Sequence, residues 1–381
     1  MATALCDPAA LTLALDTVFR RFVSRHRYVH HAVVAVSRGD GSFTWSAACG
    51  DAHPGGPRFE ADSPYFVASI TKLYLATIVL RLVEQRRLAL DDRLGVHLPP
   101  ERIARLLVWR GRDVTPEISI RHLLSHTSGL ADYYEGKRGR SLRVQLTTIG
   151  DTEVDADEAL RIVRDDLTPR FPPQSFETPH QKASYADTNF LLLALIVQAV
   201  TGSPLGRLYE DLLWRPLALT HTCLYGRTEC LSPLTSRPAT IWFRNRPLTV
   251  DRAMRSFLED GIVSTAHDTL KFLDALVHGR LFADPRTLAL MHGGWNRIFF
   301  PFEYALGTMR LRLPRLMTLR YVPALVGHAG SSGSWLFHCP ELDLLLAGTV
   351  DQAAFPSLPY RLLPRLLWTC RQLPSRTSTR S

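Results

Sequence analysis

Lysine is nearly missing from this 381-residue chain: only four of its 45 Lys plus Arg are lysine, at positions 72, 137, 182 and 271. Arginine carries the basic character. The formal charge is +9, and the arginines are scattered apart from short clusters such as RGRDV and EGKRGR. Scattered arginine reads as a solvated basic surface, and no nucleic-acid motif accompanies it, so no nucleic-acid partner is expected. C-x-x-C spacing is absent as well. Cys6, Cys49, Cys223, Cys230, Cys339 and Cys370 form neither a zinc ribbon nor a redox motif, and six in a chain this long make no disulfide framework. They read as reduced thiols of a cytosolic protein. The start, MATALCDPAALTLALDTVFRRF, has no basic n-region and carries Asp7 and Asp16. It reads as an amphipathic helix, not a secretory signal, and a cytoplasmic location is the expectation. No run of about 18 uncharged apolar residues exists, which argues against a membrane span. Internal repeats and low-complexity segments are also lacking.

What is present is the composition of an ordinary globular protein, 46% apolar and 21% charged. Two strand-like runs flank the turn RGDGS near the start, which predicts a β-hairpin. A helix follows from about Ser69 to Arg87. From Asp92 to about Asp260 the pattern is mostly helices and irregular loops. Beyond it, YALGTMRLRL alternates like a strand, SGSWLFHCPELDLLLAGTV reads as two strands about a turn, and SLPYRLLPRLLWTCRQL as a last helix before a frayed polar tail. Strands at both chain ends with helices between predict an α/β (α+β) fold. Its antiparallel sheet, flanked by helices, is built from both termini. Residues 1–90 and 261–381 would form the sheet domain and 91–260 an inserted, mostly helical domain, with the active site between them.

One lysine stands in an almost wholly apolar run, VASITKLYLATIVLRL. An unpaired buried ammonium is costly, so Lys72 must be solvated, paired or partly neutral. Ser69 and Lys72 lie three apart, on one face of a helix, with Ser69 at its start where the free N–H groups favour negative charge. Serine is a weak nucleophile until a base takes its proton. A desolvated lysine can be that base, whereas arginine cannot. The spacing alone is a weak signal, because an N-cap serine beside a snorkelling lysine looks the same.

Two further segments add to it. In KASYADTNFLLLALIVQAVTG, Tyr185 precedes an apolar helix that Gly202 closes, with Asp187 or Thr188 as N-cap. An extended YAD projects Tyr185 and Asp187 to one side, where a phenol can relay a proton. In VGHAGSSGSWLF, Gly330 admits a ligand close to the backbone, and the Ser331 N–H can join that of Ser69 as an oxyanion hole. His122 and His126 have an i, i+4 metal-ligand spacing, but HLLSH lacks the glutamate of H-E-x-x-H. No metal and no cofactor are expected.

S-x-x-K, then a Y-x-N-like triplet, then His-x-Gly resembles the penicillin-recognising serine hydrolases. More narrowly it resembles the class C β-lactamase-related branch, with its D-alanyl-D-alanine carboxypeptidases, D-aminopeptidases and esterases. FVASITK, IRHLLSHTSGL, SYADTNFLLLALIVQAVTG, DGIVSTAHDTLKFLDAL and GHAGSSGSWLFHCPELDL carry the resemblance, over about residues 12 to 370. It implies a serine hydrolase in which Ser69 is acylated by a small ester or D-amino-acid amide. Lys72 and Tyr185 would share the base and acid roles, and the Ser69 and Ser331 amides would hold the oxyanion. Asp187, His328, Gly330 and Trp335 would bind substrate, within a pocket built largely by the loops from Glu135 to Pro179. An acyltransferase on the same scaffold, or an idle binding or regulatory homologue, is the alternative. Two residues depart from the pattern. Asp187 replaces asparagine, cannot donate as an amide does, and can hold Lys72 protonated, which favours Tyr185 as base and disfavours anionic amides. His328 replaces lysine, as in peptidase and esterase members. β-Lactamase activity is not expected.

Overall fold

The run HAVVAV is apolar on both faces because its strand is interior to the sheet. His31–Arg38 pairs antiparallel with Thr44–Gly50 on one side, closing the expected hairpin, and with Leu344–Thr349 on the other. The two chain ends are thereby joined in one sheet. The structure, a computed structural model, describes residues 8–136, 141–178, 180–318 and 320–371. Its eight-stranded sheet runs, from edge to edge, through Asn296–Phe299, Phe302–Tyr304, Met309–Leu311, Leu325–Ala329, Ser334–Cys339, Leu344–Thr349, His31–Arg38 and Thr44–Gly50. Every neighbouring pair is antiparallel. The segment YALGTMRLRL, read as one strand, is two strands about a turn. The polar tail and Cys6 lie outside the described residues.

Helices cover this sheet. The opening helix, Pro8–Arg25, buries Leu11, Leu15, Phe19 and Phe22, a stripe at three- and four-residue spacing. It packs against the last helix, Pro359–Cys370. Ala266–Val277 packs against the three central strands. Between the sheet-forming ends lie short helices and loops around Asp187–Thr201, plus two small ribbons (Val108–Trp109 with Arg112–Asp113, and Trp242–Phe243 with Arg246–Pro247) that the sequence pattern did not reveal.

Two apolar helices meet at the centre. Thr71–Glu84 and Asp187–Thr201 pack on each other, and each is buried on nearly all sides over most of its length. Among the described residues no single helix is long and apolar enough to cross a membrane. Asp187–Thr201 ends at Gly202, whose φ of 68° supplies the left-handed cap. Its start differs from expectation: the N-cap is Ala186, with no side-chain cap bond. Asp187 is the first helical residue and its carboxylate faces Lys72 instead.

A small sheet ties the site together. Ile262–Ser264 pairs with Tyr65–Phe66 and with Cys223–Leu224. At its edge Cys223 and Cys230 are disulfide-bonded. The expectation of six reduced thiols fails here, because the turn between these cysteines brings their Cα atoms to 4.8 Å. Cys49, Cys339 and Cys370 are free.

Candidate active site

Ser69 lies in a 3-10 turn, Ala68–Ile70, that leads into the buried helix. Ala68 has a φ of 51°, a conformation costly for a non-glycine residue. The turn is braced from the sheet: the Ser334 hydroxyl donates to Val67 O at 2.8 Å. Gly330 abuts the same turn, where a Cβ would fall 2.2 Å from Ser334 Oγ and 2.9 Å from Val67 O. Glycine is therefore required for the sheet to reach the nucleophile turn, a packing reason different from the ligand approach expected of it.

Lys72 is fully buried and fully paired. Its ammonium donates to Ser69 Oγ at 3.2 Å and to Asp260 Oδ1 at 2.6 Å, and makes an ion pair with Asp187 Oδ1 at 2.6 Å. Burial alone would lower its pKa, but Asp187 and Asp260 outweigh burial and hold it well above the ordinary value. Snorkelling is excluded, since the helix has no exposed face here.

Around this cation stand more carboxyl groups than it can neutralise. Burial pushes Asp260 up to about 6, against the pull of Lys72. Burial and the neighbouring Asp260 push Glu259 up to about 7. Glu259 accepts from the Tyr133 hydroxyl. Burial and Asp187 push Asp132 well above the carboxylate range, and its Oδ1 accepts from the amides of Tyr134 and Asp187. Sequence reasoning found Asp187 and missed Asp260, Glu259 and Asp132. Asp260 lies 188 residues from Lys72, and LEDG reads locally as an acidic turn.

Tyr185 borders the same cavity. Its ring stacks on His126 at 4.4 Å and lies 5.6 Å from the Lys72 ammonium. Its buried hydroxyl has no hydrogen-bond partner among the described residues. Burial keeps it a phenol well above its ordinary pKa, although Lys72 opposes this. His126 accepts at Nδ1 from Asn189 Nδ2 at 2.9 Å and from the Ala186 amide at 3.2 Å. His122 meets Gln174 O at 2.7 Å. Both imidazoles thus brace the Tyr185 segment and its surrounding loop.

His328 and Trp335 are placed apart from the cavity. His328 is fully buried: its Nδ1–H points to Ala329 O at 3.0 Å, and Nε2 accepts from the Tyr304 hydroxyl at 2.9 Å. Burial, then Lys72, hold it neutral with a pKa of about 3. Trp335 is also fully buried. The next residues of the strand, Ala329, Gly330 and Ser331, do line the cavity.

The cavity measures ≈ 510 Å³, with Ser69, Tyr185 and Asp187 at its base. Its walls come from Asp132, Tyr134 and Glu135, from Phe299–Phe302 with Met309, and from Pro356, Ser357 and Tyr360. Of the described residues from Glu135 to Pro179 only Glu135 lines it, so most of the described wall is elsewhere. Among the described residues no arginine or lysine borders it, whereas Asp132, Glu135 and Asp187 do. Phe299 and Phe300 are 49% and 58% exposed at its mouth.

This geometry can be set beside known proteins. Esterase EstB of Burkholderia gladioli is 31% identical over 215 residues, 56% of this chain and 51% of the esterase. Penicillin-binding protein 4 of Amycolatopsis lactamdurans is 30% identical over 178 residues, 45% of this chain and 39% of that protein. The chain thus matches about half or less of these relatives' length. Among solved structures, D-amino acid amidase from Ochrobactrum anthropi SV3, complexed with D-phenylalanine, superposes with a TM-score of 0.74 at 20% identity, covering 95% of this chain and 99% of the amidase. The D-stereospecific amidohydrolase from Streptomyces sp. gives 0.68 at 24% identity, over 91% and 95%. The family model described as Beta-lactamase matches residues 15–361, which takes in Ser69, Lys72, Tyr185 and the Gly330 strand together; the chain belongs to the Beta-lactamase family.

Proposed function

We propose that the protein is a serine hydrolase that cleaves small esters or D-amino-acid amides through an acyl-enzyme on Ser69. The observation that carries this reading is the Ser69 hydroxyl at the base of a ≈ 510 Å³ cavity, 3.2 Å from a buried ammonium. Ser69 Oγ adds to the substrate carbonyl. The amides of Ser69 and Ser331 receive the developing oxyanion, an arrangement whose single donors are each worth about 10²–10³-fold in rate. Lys72 is a fixed cation that orients Oγ and favours its developing negative charge. Tyr185, a phenol with a free proton, serves the leaving group as acid and not as base. Asp187 holds Lys72 in place.

The reaction class extends to the substrate's shape and charge. Among the described residues the lining is aromatic and apolar at the mouth and its charges are acidic, so a neutral or amine-bearing substrate suits it better than a terminal carboxylate. His328, neutral and tied to Tyr304, offers no cation for such a carboxylate. The apolar mouth also favours a second reading, acyl transfer, in which an alcohol or amine displaces the acyl group in place of water.

Intact-mass spectrometry tests the proposal, after incubation with a fluorophosphonate and, separately, p-nitrophenyl acetate, for the wild type and Ser69→Ala. One adduct per chain that disappears in the variant is expected. A folded wild type that gains no mass would overturn the reading in favour of an idle homologue. Product analysis with added alcohols separates hydrolysis from transfer.

A further inference from the structure

The site has a nucleophile, a fixed cation and an acid, but the residues assigned so far leave it without a base. Lys72 cannot fill that role as it stands. Its ammonium is engaged by Ser69, Asp260 and Asp187, and the two carboxylates hold it charged. Because Lys72 donates to Ser69 Oγ, the serine's own proton must point elsewhere. Burial keeps the proton on Tyr185, so no phenolate is at hand to take the serine's.

We infer that Asp260 is the catalytic base: it takes the Ser69 proton while Lys72 steadies both oxygens. Ser69 Oγ and Asp260 Oδ1 are held by the same ammonium, at 3.2 and 2.6 Å from Lys72 Nζ, so the carboxylate and the nucleophile are neighbours around one cation. The backbone holds it there. Val67 N donates to Ile262 O at 3.0 Å, and Ile262 N donates to Thr71 Oγ1 at 3.3 Å. The segment carrying Asp260 is therefore pinned on both sides of Ser69. On its other side the segment folds tightly back on the helix before it: a Cβ at Gly261 would lie 2.6 Å from Phe257 O and 2.9 Å from Met254 O. This role rests on the acyl-enzyme reading of Ser69.

The step balances without any outside reactant. In acylation the Ser69 O–H bond breaks, its proton passes to an Asp260 oxygen, and the Oγ–C bond forms at the substrate carbonyl. The tetrahedral intermediate expels the alcohol or amine, which receives a proton from Tyr185, and Asp260 returns a proton to Tyr185. In deacylation a water proton passes to Asp260 as its hydroxyl adds to the acyl carbon. Ser69 Oγ then leaves and takes that proton back. The net result is ester or amide plus water to acid plus alcohol or amine.

Several groups face Asp260: Lys72 from the nucleophile helix, Asp187 and Tyr185 from the facing segment, Glu259 beside it, and the phenols of Tyr133, Tyr134, Tyr209 and Tyr304. The phenols are all pushed up by burial and stay protonated, so the changes near neutrality belong to Asp260 and Glu259. A base must be ionised to work, so activity rises as Asp260 loses its proton, around pH 6.

The test is single-turnover acylation by p-nitrophenyl acetate from pH 4.5 to 9, for the wild type, Asp260→Asn, Asp260→Glu and Glu259→Gln, with thermal melts to confirm folding. Asp260→Asn should lose about 100-fold or more in acylation rate and lose the acidic limb of the profile. Asp260→Glu should keep the limb and recover part of the rate. Glu259→Gln should keep the limb, which assigns it to Asp260. Asp260→Asn acylating as fast as the wild type, or faster, would overturn the role: Asp260 would then be a brake that keeps Lys72 charged. A wild type that forms no Ser69 adduct defeats the hydrolase reading itself, and that failure is visible before any variant is compared.

Discussion

At the residue scale the decisive feature is charge crowding. Two buried carboxylates, Asp187 and Asp260, pair with one buried ammonium, and two more buried carboxyl groups crowd them, Asp132 beside Asp187 and Glu259 beside Asp260. Lys72→Met would leave Asp187 and Asp260 facing each other without a counter-ion. Removing one partner of a buried ion pair costs about 3–5 kcal/mol. We expect a loss of that order at pH 8 by urea denaturation, shrinking toward pH 5 as Asp260 takes up a proton, together with loss of Ser69 labelling. Glu259 supplies a second prediction. Its pKa in the fold, about 7, exceeds the ordinary value of 4.5. The folded state therefore holds this proton where the unfolded chain has released it. Stability from this group is full below about pH 4.5 and is lost as pH rises through 7. Glu259→Gln, which cannot ionise, should melt progressively higher than the wild type over that window. Equal melting curves at pH 5 and pH 8 would contradict it.

At the element scale the site depends on how tightly three segments are drawn together. The turn Ala68–Ile70, the strand end at Gly330 and the Ile262–Ser264 strand meet closely, and at Gly330 only a glycine leaves room for the contact. Gly330→Ala would push on Val67 O and Ser334 Oγ and shift the nucleophile turn. A displacement near 1 Å costs about 100-fold in rate. We expect acylation to fall by about that factor while circular dichroism at 25 °C stays native-like. The elements themselves were largely legible. The hairpin, the two C-terminal strands, the opening and closing helices and the apolar helix before Gly202 all carry clear patterns. Finer detail was not. Asp187 looked like a cap because Asp suits that position, yet an ion pair with Lys72 outranks a cap bond. The strand at His328 carries no mark of which neighbour enters the cavity. Ala329, Gly330 and Ser331 border it while His328 turns to Tyr304.

At the scale of the whole molecule, the cavity is an assembly of distant pieces. Its lining residues come from segments spread between Ser69 and Tyr360. Phe299 and Phe300 at the mouth predict a preference among acyl groups. Burying part of an aromatic ring against substrate is worth about 1–2 kcal/mol. Phe299→Ala and Phe300→Ala should therefore lower kcat/KM for p-nitrophenyl hexanoate about 5–30-fold and leave that for the acetate nearly unchanged. An equal loss for both esters would show that these rings do not touch the acyl chain.

The sequence by itself determined what is local. Ser69 and Lys72 meet because three residues is one step along a helix face, Tyr185 and Asp187 share a side because an extended chain alternates, and the sheet-forming runs and helix stops follow from periodicity and glycine. The tertiary structure decided what depends on distance in space. Asp260 reaches Lys72 across 188 residues, and the crowding that keeps Lys72 charged arises only when both carboxylates are buried beside it. The Cys223–Cys230 bond and the aromatic mouth of the cavity have the same origin. The physical reason is that burial sets pKa values and side-chain partners, and burial is a property of the packed chain, not of any stretch of it.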